Sequence, residues 1–464
     1  MTTTVLKFGG TSVGSPDAVR AAVDIIAATE GDRVVVVSAT AGTTNALMEA
    51  ARLAAEGDDL GAQRAIGMIA DRHQDLAADL LGDGGAAVQS ELAELAERTS
   101  ALLRSVAILR ECTPRSRDAI VSYGERACAP IVAAALAERD IASASVGGED
   151  VVVTDDTFGE ASPLQDETRE RVRDVLGPLM RLHHVPVVAG YVGATRQGVT
   201  TTLGRGASDY TAALLAAALP ADDVRIYTDV SGVMSADPRL VPDARPLVIL
   251  SYAEIAELSH FGARVLHPRA VLPAVEAGIP VRILNTFAPG DAGTTITAQA
   301  ARDGSIVKAT TSLGGLGLIT VQGAGMSGIP GFAARVFDTA ADERVSVLMI
   351  SQSSSENTIC LVVPGDAADR LRGALERNLE RELGRHDVER VSVEAPVAIV
   401  AAVGEGMRGT PGVAARVFAA LGTAGVNVIA IAQGSSERNI SLVVAEDDRR
   451  RAVTAIHDQF RSGG

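Results

Sequence analysis

Residues 323–337 read GAGMSGIPGFAARVF and residues 404–418 read GEGMRGTPGVAARVF, so the chain repeats itself at a distance of 81 positions (404 − 323). The match continues without a gap through VSVLMISQSSSENTICLVV at 345–363 and VNVIAIAQGSSERNISLVV at 426–444. Each copy has the pattern of a strand–helix–strand unit that cannot bury its apolar faces alone. We therefore expect two copies of one module, each packed against its twin or against another subunit.

The region before the repeat alternates short apolar strands with helices. Strand patterns occur at 5–8, 33–38, 185–192, 224–229 and 281–284, and helical patterns at 16–29 and 209–219. This alternation predicts the α/β class, with a mainly parallel sheet that helices cover on both faces.

A turn-rich stretch, PGDAG at 289–293, separates this region from the repeat. We predict a first domain at 1–295 and a second region at 296–464. Within the second region the two modules are predicted near 314–385 and 392–464.

Charge and composition exclude several classes of protein. The 464 residues are 47% hydrophobic and carry a formal net charge of −16, which repels nucleic acid and anionic membrane surfaces. The three cysteines lack the spacing of a disulfide framework or a metal site. No signal-peptide pattern opens the chain, and no stretch reaches the roughly 20 apolar residues of a membrane span. We expect a soluble cytoplasmic protein with no nucleic-acid or membrane partner.

A lysine and two glycines follow the first strand. The segment KFGGTS at 7–12 places Lys7 on the strand, and Gly9 and Gly10 in the turn before a helix. Glycines at this point let backbone N–H groups approach a phosphate, and the helix N-terminus and the lysine add positive potential. The turn matches neither the dinucleotide-binding nor the P-loop motif, and alone it is more often a tight connection.

A second polar cluster, TTTLGRGASD at 200–209, leads into a helix. Arg205 stands between two glycines after three threonines, which is typical of a donor-rich cradle in which a guanidinium grips a carboxylate. A loop capped by Ser208 or Asp209, with the helix starting at Tyr210, explains part of the pattern equally well. Three further polar segments each have the composition of a turn, a cap or a site: SATAGTTN at 38–45, SYGE at 122–125 and YTDVSGVM at 227–234.

Taken in order, these segments resemble the aspartate kinases of the amino acid kinase superfamily, and the resemblance covers essentially the whole chain. KFGGTS, SATAGTTN, SYGER, TTLGRGASDYTAA, YTDVSGV with a following DPR, and FGARVLHPR stand in the family's order and approximate spacing. The repeat, with ISQSSSE and IAQGSSER, looks like the paired ACT modules of the fused aspartate kinase–homoserine dehydrogenases. No dinucleotide-binding segment follows it, so we expect a kinase without the dehydrogenase.

The resemblance implies an amino acid kinase fold, a three-layer αβα sandwich, followed by two α+β ACT modules. It implies ATP-dependent, magnesium-assisted phosphorylation of the L-aspartate β-carboxylate to 4-phospho-L-aspartate, the first step of lysine, threonine and methionine biosynthesis, with feedback through the ACT modules. Two alternatives stay open: another kinase of the superfamily, or a non-catalytic amino-acid-sensing subunit. The joint presence of Lys7, Glu125, Arg205 and Asp209 argues against the sensor.

The resemblance also implies roles for single residues. Lys7 and Asp209 are expected to be catalytic, with Lys7 stabilising charge on the transferred phosphoryl group and Asp209 organising that lysine. The expected ATP site comprises Lys7, Gly9, Gly10, Ser12, Thr228, Asp229, Asp237, Arg239 and Arg264, where relatives usually carry lysine at position 264. The expected aspartate site comprises Ser38, Thr44, Glu125, Arg205 and Ser208, with Arg205 on a carboxylate and Glu125 on the α-ammonium group. No protein side chain is assigned to a metal.

The effector site is predicted in the repeat. A Pro-Gly turn at Pro330 and at Pro411 opens a helix in each copy, and N-terminal helix amides can take the carboxylate of an amino acid. The predicted site comprises Gln352, Gln433, Ile350, Ile431 and Asn427. In the threonine-sensitive fused enzymes that this region resembles, the matching glutamines contact threonine. We therefore expect threonine rather than lysine alone as the effector, and a homo-oligomer held through the ACT modules.

Overall fold

A computed structural model of the chain describes residues 2–204, 206–262, 266–299 and 305–461. The described chain divides into two compact units. The first comprises 2–233, 248–252 and 266–299, and the second comprises 234–247, 253–262 and 305–461. The second unit thus takes in two segments that precede residue 295, and the predicted boundary at that residue stays a prediction.

The elements up to residue 297 combine strands with helices, including five successive α-helices between the second and third strands. The strands are β1 (Thr3–Phe8), β2 (Asp32–Val37), β3 (Ser143–Val146), β4 (Val153–Thr154), β5 (Val185–Ala189), β6 (Val192–Thr195), β7 (Thr200–Thr202), β8 (Asp223–Thr228), β9 (Ile249–Ser251), β10 (Val281–Asn285) and β11 (Thr294–Thr297). The α-helices are α1 (Pro16–Ala28), α2 (Thr43–Ala55), α3 (Asp59–Leu81), α4 (Ala86–Leu109), α5 (Pro114–Val121), α6 (Tyr123–Ala137), α7 (Gly148–Val151), α8 (Gln165–Arg181), α9 (Ala207–Ala218), α10 (Tyr252–His260) and α11 (Pro268–Glu276).

The elements after residue 308 carry the repeat. The strands are β12 (Ala309–Gln322), β13 (Met349–Gln352), β14 (Thr358–Pro364), β15 (Arg390–Val403), β16 (Ala430–Ala432) and β17 (Asn439–Ala445). The α-helices are α12 (Phe332–Asp342), α13 (Gly365–Asn378), α14 (Glu380–Gly384), α15 (Val413–Thr423) and α16 (Arg449–Arg461).

An eight-stranded sheet in the order β3-β5-β2-β1-β8-β10-β11-β9 organises the first unit. The six strands from β3 to β10 in this order are all parallel, and β11 pairs antiparallel with β10. The run Val34–Val37 in β2 is fully buried, as expected for a parallel strand covered on both faces. The predicted α/β class with a mainly parallel sheet is confirmed.

Helix starts depend on the residue before the first turn. Helix α1 begins as expected, because the Ala18 N–H donates to Ser15 Oγ at 3.3 Å. Helix α9 begins at Ala207 instead of Tyr210, after Gly206 in the left-handed region at φ 71°. The prediction that Ser208 or Asp209 caps this helix is therefore wrong, since both lie within its first turn.

Helices α5 and α6 form part of the core of the first unit. The stretch Pro114–Ala137 is long and apolar enough by composition to cross a membrane, so the expectation that no stretch would pass this test is wrong. Most of the stretch is buried inside the unit, and Ile131 and Leu136 are fully buried in its hydrophobic core. This is the environment of a core helix.

The sheet of the second unit is shared by the two copies of the repeat. Its order is β13-β14-β12-β15-β17-β16, and β12 and β15 pair antiparallel along their whole length, from Ala309 opposite Val403 to Gln322 opposite Arg390. Strand β14 pairs only with 316–322 of β12, and β17 pairs only with 397–403 of β15. Each module thus obtains its fourth strand from the other copy, with 390–394 completing the first sheet and 309–313 the second.

Each half of this sheet has a core of its own. In the first half, Ile319 and Leu361 pack in one hydrophobic cluster with Val336 of α12. In the second half, Val400 and Leu442 pack in another cluster with Val417 of α15. The α+β ACT-type architecture predicted for the repeat is confirmed.

Candidate active site

The carboxyl ends of the central parallel strands meet at one edge of the first sheet. Phe8 lies opposite both Val37 and Tyr227 in register, and Val37 lies opposite Ala189. Ligands of open α/β sheets bind outside this edge, because the loops that follow the strands converge there. The polar segments singled out in the sequence at 7–12, 38–45 and 227–229 therefore follow neighbouring strands.

Lys7 and Asp209 form a nearly buried ion pair at this edge. Lys7 Nζ lies 2.6 Å from Asp209 Oδ1, and the two side chains are 10% and 12% exposed. The pair joins β1 to the first turn of α9, whose N-terminal amides add positive potential. A buried carboxylate fixes the position of the ammonium group, so the arrangement can hold a cation ready for an incoming phosphate.

Glu125 is a fully buried acid in the first turn of α6. Burial raises the pKa of its carboxyl to about 8, and hydrogen bonds from the backbone at Ala39 and Glu125, with the charge of Lys7, oppose that rise only in part. Its Oε2 atom has no hydrogen-bond partner among the described residues. Such an acid is suited to receive a cationic group from a ligand, which would stabilise its charged form.

The structure brings most of the predicted aspartate site into one cavity of about 850 Å³. Its walls include Lys7, Ser38, Thr44, Glu125, Ser208 and Asp209. Close backbone approaches shape it: a Cβ at Gly124 would lie 2.5 Å from Ala39 Cβ, and one at Gly190 would lie 2.8 Å from Ser208 Cβ. Glycine at these two positions therefore lets α6 and β5 approach the polar loops. Arg205 and Arg264 lie outside the described residues.

Asp118 and Arg117 also line this cavity, and neither was singled out from the sequence. The Asp118 carboxylate accepts hydrogen bonds from Gly159 N (2.8 Å), Thr202 N (3.0 Å) and Thr202 Oγ1 (2.9 Å). Burial raises the pKa of Asp118, while these donors lower it in part. Asp118 thus positions the loop at Gly159 and the end of β7. Its separation of 84 positions from Thr202 explains why no local sequence motif indicates this role.

The Gly-Gly turn after β1 approaches the β2 loop closely. A Cβ at Gly10 would lie 2.6 Å from Ala39 O, so only glycine fits there without a shift of the backbone. The Ser12 hydroxyl is used within the fold, because it accepts from Thr286 Oγ1 at 2.6 Å and donates to Tyr227 O at 3.4 Å. Gly9 and Gly10 stay candidates for backbone contacts to phosphate, whereas Ser12 supports the turn.

The remaining predicted nucleotide residues lie in different units. Thr228 ends β8, and its hydroxyl donates to Asp229 Oδ1 at 3.1 Å in the first unit. Asp237 and Arg239 belong to the second unit, where Arg239 Nη2 lies 2.7 Å from Asp237 Oδ2. The hydrogen bond from the Arg239 side chain holds the pKa of Asp237 below its usual value.

Comparison with known proteins assigns the family. The sequence profile of the amino acid kinase family matches residues 2–285, and that of the ACT domain matches 319–379 and 400–460. Lysine-sensitive aspartokinase 3 of Escherichia coli (strain K12) is 34% identical over 459 residues, which cover 98% of this chain and 98% of that protein. The chain belongs to the aspartokinase family. The predicted family is thereby confirmed.

Some aspartokinase relatives are much longer proteins. The chloroplastic bifunctional aspartokinase/homoserine dehydrogenase 2 of Arabidopsis thaliana is 35% identical over 468 residues, which cover 98% of this chain and 50% of that protein. The chain therefore spans about half the length of these fused relatives. Among solved structures, E. coli aspartokinase III in complex with lysine and aspartate superposes with a TM-score of 0.82 at 33% identity, covering 98% of this chain and 99% of that one.

The predicted effector residues of this aspartokinase lie at the outer strands of the ACT sheet. Gln352 ends β13, and Gln433 follows β16 directly. Ile350 and Ile431 on these strands are each 46% exposed, and Asn427 is exposed before β16. The Ser351 hydroxyl donates to Ile431 O at 2.9 Å, so the two outer strands approach each other within the chain.

The helices that follow the Pro-Gly turns have uncapped starts. Helix α12 follows Gly331 at φ 83°, and α15 follows Gly412 at φ 84°, both in the left-handed region. No side chain caps either helix in the described part of the chain. The Phe332 N–H donates to Ile329 O at 3.3 Å, so the next amides of α12 and the first amides of α15 are the candidates to bind a carboxylate.

Proposed function

We propose that this aspartokinase transfers the γ-phosphoryl group of ATP to the β-carboxylate of L-aspartate, giving 4-phospho-L-aspartate and ADP. The observation that carries the proposal is the nearly buried Lys7–Asp209 ion pair, which shares one cavity with the buried acid Glu125. A similar solved structure supports the same ligands, since E. coli aspartokinase III forms a complex with aspartate and ADP.

Positioning and charge carry the proposed reaction. An aspartate β-carboxylate is ionised at neutral pH, so it needs no general base before it attacks phosphorus in line. Lys7 neutralises charge that develops on the transferred group, and Asp209 keeps the Lys7 ammonium in place through their 2.6 Å contact. The hydroxyl groups of Ser38 and Ser208 line the same cavity and can donate to substrate oxygens.

Glu125 is the proposed partner of the substrate ammonium. Burial disfavours the charged form of its carboxyl and raises the pKa to about 8. An ammonium group within hydrogen-bonding reach of Oε2 would restore ionisation and satisfy that oxygen at once. This requirement favours an α-amino acid over a substrate without an amino group.

Magnesium is proposed to enter as part of the nucleotide substrate, MgATP. Among the described residues, no three His, Cys, Asp or Glu side chains cluster in the manner of a protein metal site. Asp209, the carboxylate paired with Lys7, would help to hold the ion, which would offset negative charge on the phosphate groups. The backbone of Gly9 and Gly10 is the proposed phosphate contact.

A coupled assay of ADP formation tests this function. Purified protein with MgATP is expected to form ADP with L-aspartate, and not with L-glutamate, with succinate or without an acceptor. Succinate keeps both carboxylates and lacks the ammonium group, so it isolates the contribution assigned to Glu125. Turnover with glutamate that equals turnover with aspartate would replace this proposal by another kinase of the superfamily.

We further propose threonine as the effector and the ACT sheet as the site of homo-oligomer assembly. The support is the exposed pair Ile350 and Ile431 on outer strands, beside Gln352 and Gln433. Leu348 offers no partner to the ammonium group of a lysine side chain. Lysine is the competing candidate, because the E. coli relative is named lysine-sensitive. Titration of activity with threonine and with lysine decides which amino acid is the effector. Light scattering in parallel tests the homo-oligomer.

A further inference from the structure

A second cavity, of about 410 Å³, lies inside the second unit. Segment 235–247, residues 305–310 at the entry to β12, and helices α15 and α16 contribute its walls. None of the predicted active-site or effector residues lines it. Its volume is within the range of about 300–1,000 Å³ that is typical of small-molecule sites.

The walls of this cavity are strongly cationic. Four basic side chains line it, and the described lining includes no aspartate or glutamate: Arg245, Lys308, Arg416 and Arg461. Lys308 is paired with Glu254, and Arg461 is paired with Asp243. In a chain of formal net charge −16, a local excess of positive charge in a concave site attracts anions.

Arg245 and Arg416 carry charge that no carboxylate neutralises within the described part of the chain. The Arg416 guanidinium lies 4.3 Å from the centroid of the Phe460 ring, and its Nη2 donates to Gln459 O at 3.0 Å. These contacts fix the orientation of the guanidinium without offsetting its charge. Arg245 is exposed, and its backbone N–H donates to Ser235 Oγ at 2.9 Å, which holds its Cα at the rim.

Two buried polar atoms in the same walls lack a hydrogen-bond partner in the part of the chain that the structure describes. Thr310 and His457 are 2% and 6% exposed, and neither Thr310 Oγ1 nor His457 Nδ1 has a hydrogen-bond partner among the described residues. His457 Nε2 lies 3.0 Å from Ser235 Oγ, whereas Nδ1 lies 3.6 Å from Asp458 Oδ1, beyond hydrogen-bonding reach. Buried polar groups usually form hydrogen bonds with protein, water or ligand, so these two atoms can still form a hydrogen bond with a ligand.

We propose that this cavity binds a small phosphate-bearing anion. Neither the Arg245 nor the Arg416 guanidinium has a carboxylate partner among the described residues, so the two together match the charge of a phosphate dianion. Each guanidinium can make two parallel N–H bonds to phosphate oxygens. The Thr310 hydroxyl and the His457 ring add polar contacts, while Ile306 and Phe460 provide an apolar wall for the rest of a phosphate ester. A single carboxylate has two oxygens and would satisfy fewer of these groups.

A ligand bound in this cavity would connect the segment 235–247 to helix α15 of the repeat. Ser235 N donates to Arg245 O at 2.8 Å, and Thr310 N donates to Ser235 O at 2.8 Å. A phosphate held by both Arg245 and Arg416 links this loop to α15. The same loop carries Asp237 and Arg239, which the sequence predicts to contact the nucleotide, so a change of KM for ATP is a second readout.

Calorimetric titration of the full chain tests the site. The kinase site is first saturated with a non-hydrolysable magnesium–ATP analogue, and the probes are inorganic phosphate, pyrophosphate and malonate. We expect one saturable phosphate site that is weakened at least about tenfold by Arg245→Gln, because a charge-assisted contact is lost. Arg450→Gln, which removes an exposed charge from α16 outside the cavity, is the matched control and is expected to bind as wild type.

A second variant keeps the test independent of folding defects. Thr310→Val preserves the side-chain shape and removes a buried hydroxyl that has no partner in the described ranges. The variant is therefore expected to fold at least as stably as wild type and to bind phosphate less tightly. Absence of saturable phosphate binding, equal binding by Arg245→Gln and Arg450→Gln, or preference for malonate over phosphate would each overturn the proposal. Kinase activity with aspartate is measured separately, so failure of the phosphate-site proposal and failure of the proposed kinase function can be distinguished.

Discussion

Replacing Glu125 by glutamine removes a buried acid and preserves the shape of its side chain. Burial raises the pKa of this carboxyl from 4.5 to about 8 in the folded protein, whereas the unfolded chain keeps the ordinary value. Between these pH values the folded state holds a proton that the unfolded state has released, so the free energy of unfolding falls as the pH rises. At about 1.4 kcal/mol per pKa unit, the complete loss has a ceiling of roughly 5 kcal/mol.

The assay is the free energy of unfolding of wild type and Glu125→Gln, measured by chemical denaturation on both sides of this window. The difference between the two proteins cancels the titration of all other groups. We expect the variant to gain stability relative to wild type as the pH rises through the window, and to hold a constant advantage above about pH 8. Glu111→Gln, an exposed acid in the same unit, is the control. Parallel pH curves for wild type and Glu125→Gln would refute the buried protonated acid.

Four further substitutions test the active site and the predicted effector site. Lys7→Ala is expected to lower kcat by about 10²–10³-fold, because it removes charge stabilisation in the transition state, and steady-state kinetics with near-normal kcat would contradict this role. Asp118→Asn is expected to cost about 1–3 kcal/mol in the free energy of unfolding, since it leaves donors of Thr202 unmet, and to raise KM for aspartate more than it lowers kcat. Gln352→Ala and Gln433→Ala are expected to relieve inhibition by threonine with unchanged uninhibited activity; inhibition that survives both changes would remove these glutamines from the effector site.

Local patterns predicted the parts of the site that lie next to the ends of strands. Lys7 and the Gly-Gly turn were found because the end of a parallel strand fixes where the next residues go. Asp118 was missed because its contacts with Gly159 and Thr202 are set by tertiary structure. The start of α9 was misplaced because the positive φ of Gly206, and not a side-chain cap, turns the chain into the helix.

The pairing of the strands in the repeat is another feature that the sequence alone does not predict. A duplication with constant spacing predicts two equal modules, but it does not say which copy supplies each strand. Pairing decides this, because β12 and β15 are long enough for each to serve both halves. The irregular register between Leu313 and Leu318 marks the point where β12 passes from one half to the other, opposite 394–399 of β15.

The exchanged strands bear directly on how an effector signal would spread. An amino acid bound at β13 or β16 acts on a sheet whose central ladder, β12 with β15, belongs to both modules. A shift of that ladder in one module moves a strand of the other, because 309–313 and 316–322 are parts of one continuous strand. Two sites that bias one shared element are thermodynamically coupled, and the coupling acts equally in both directions. The two ACT modules are therefore expected to respond to effector as one unit, so loss of either glutamine should weaken the response of both copies.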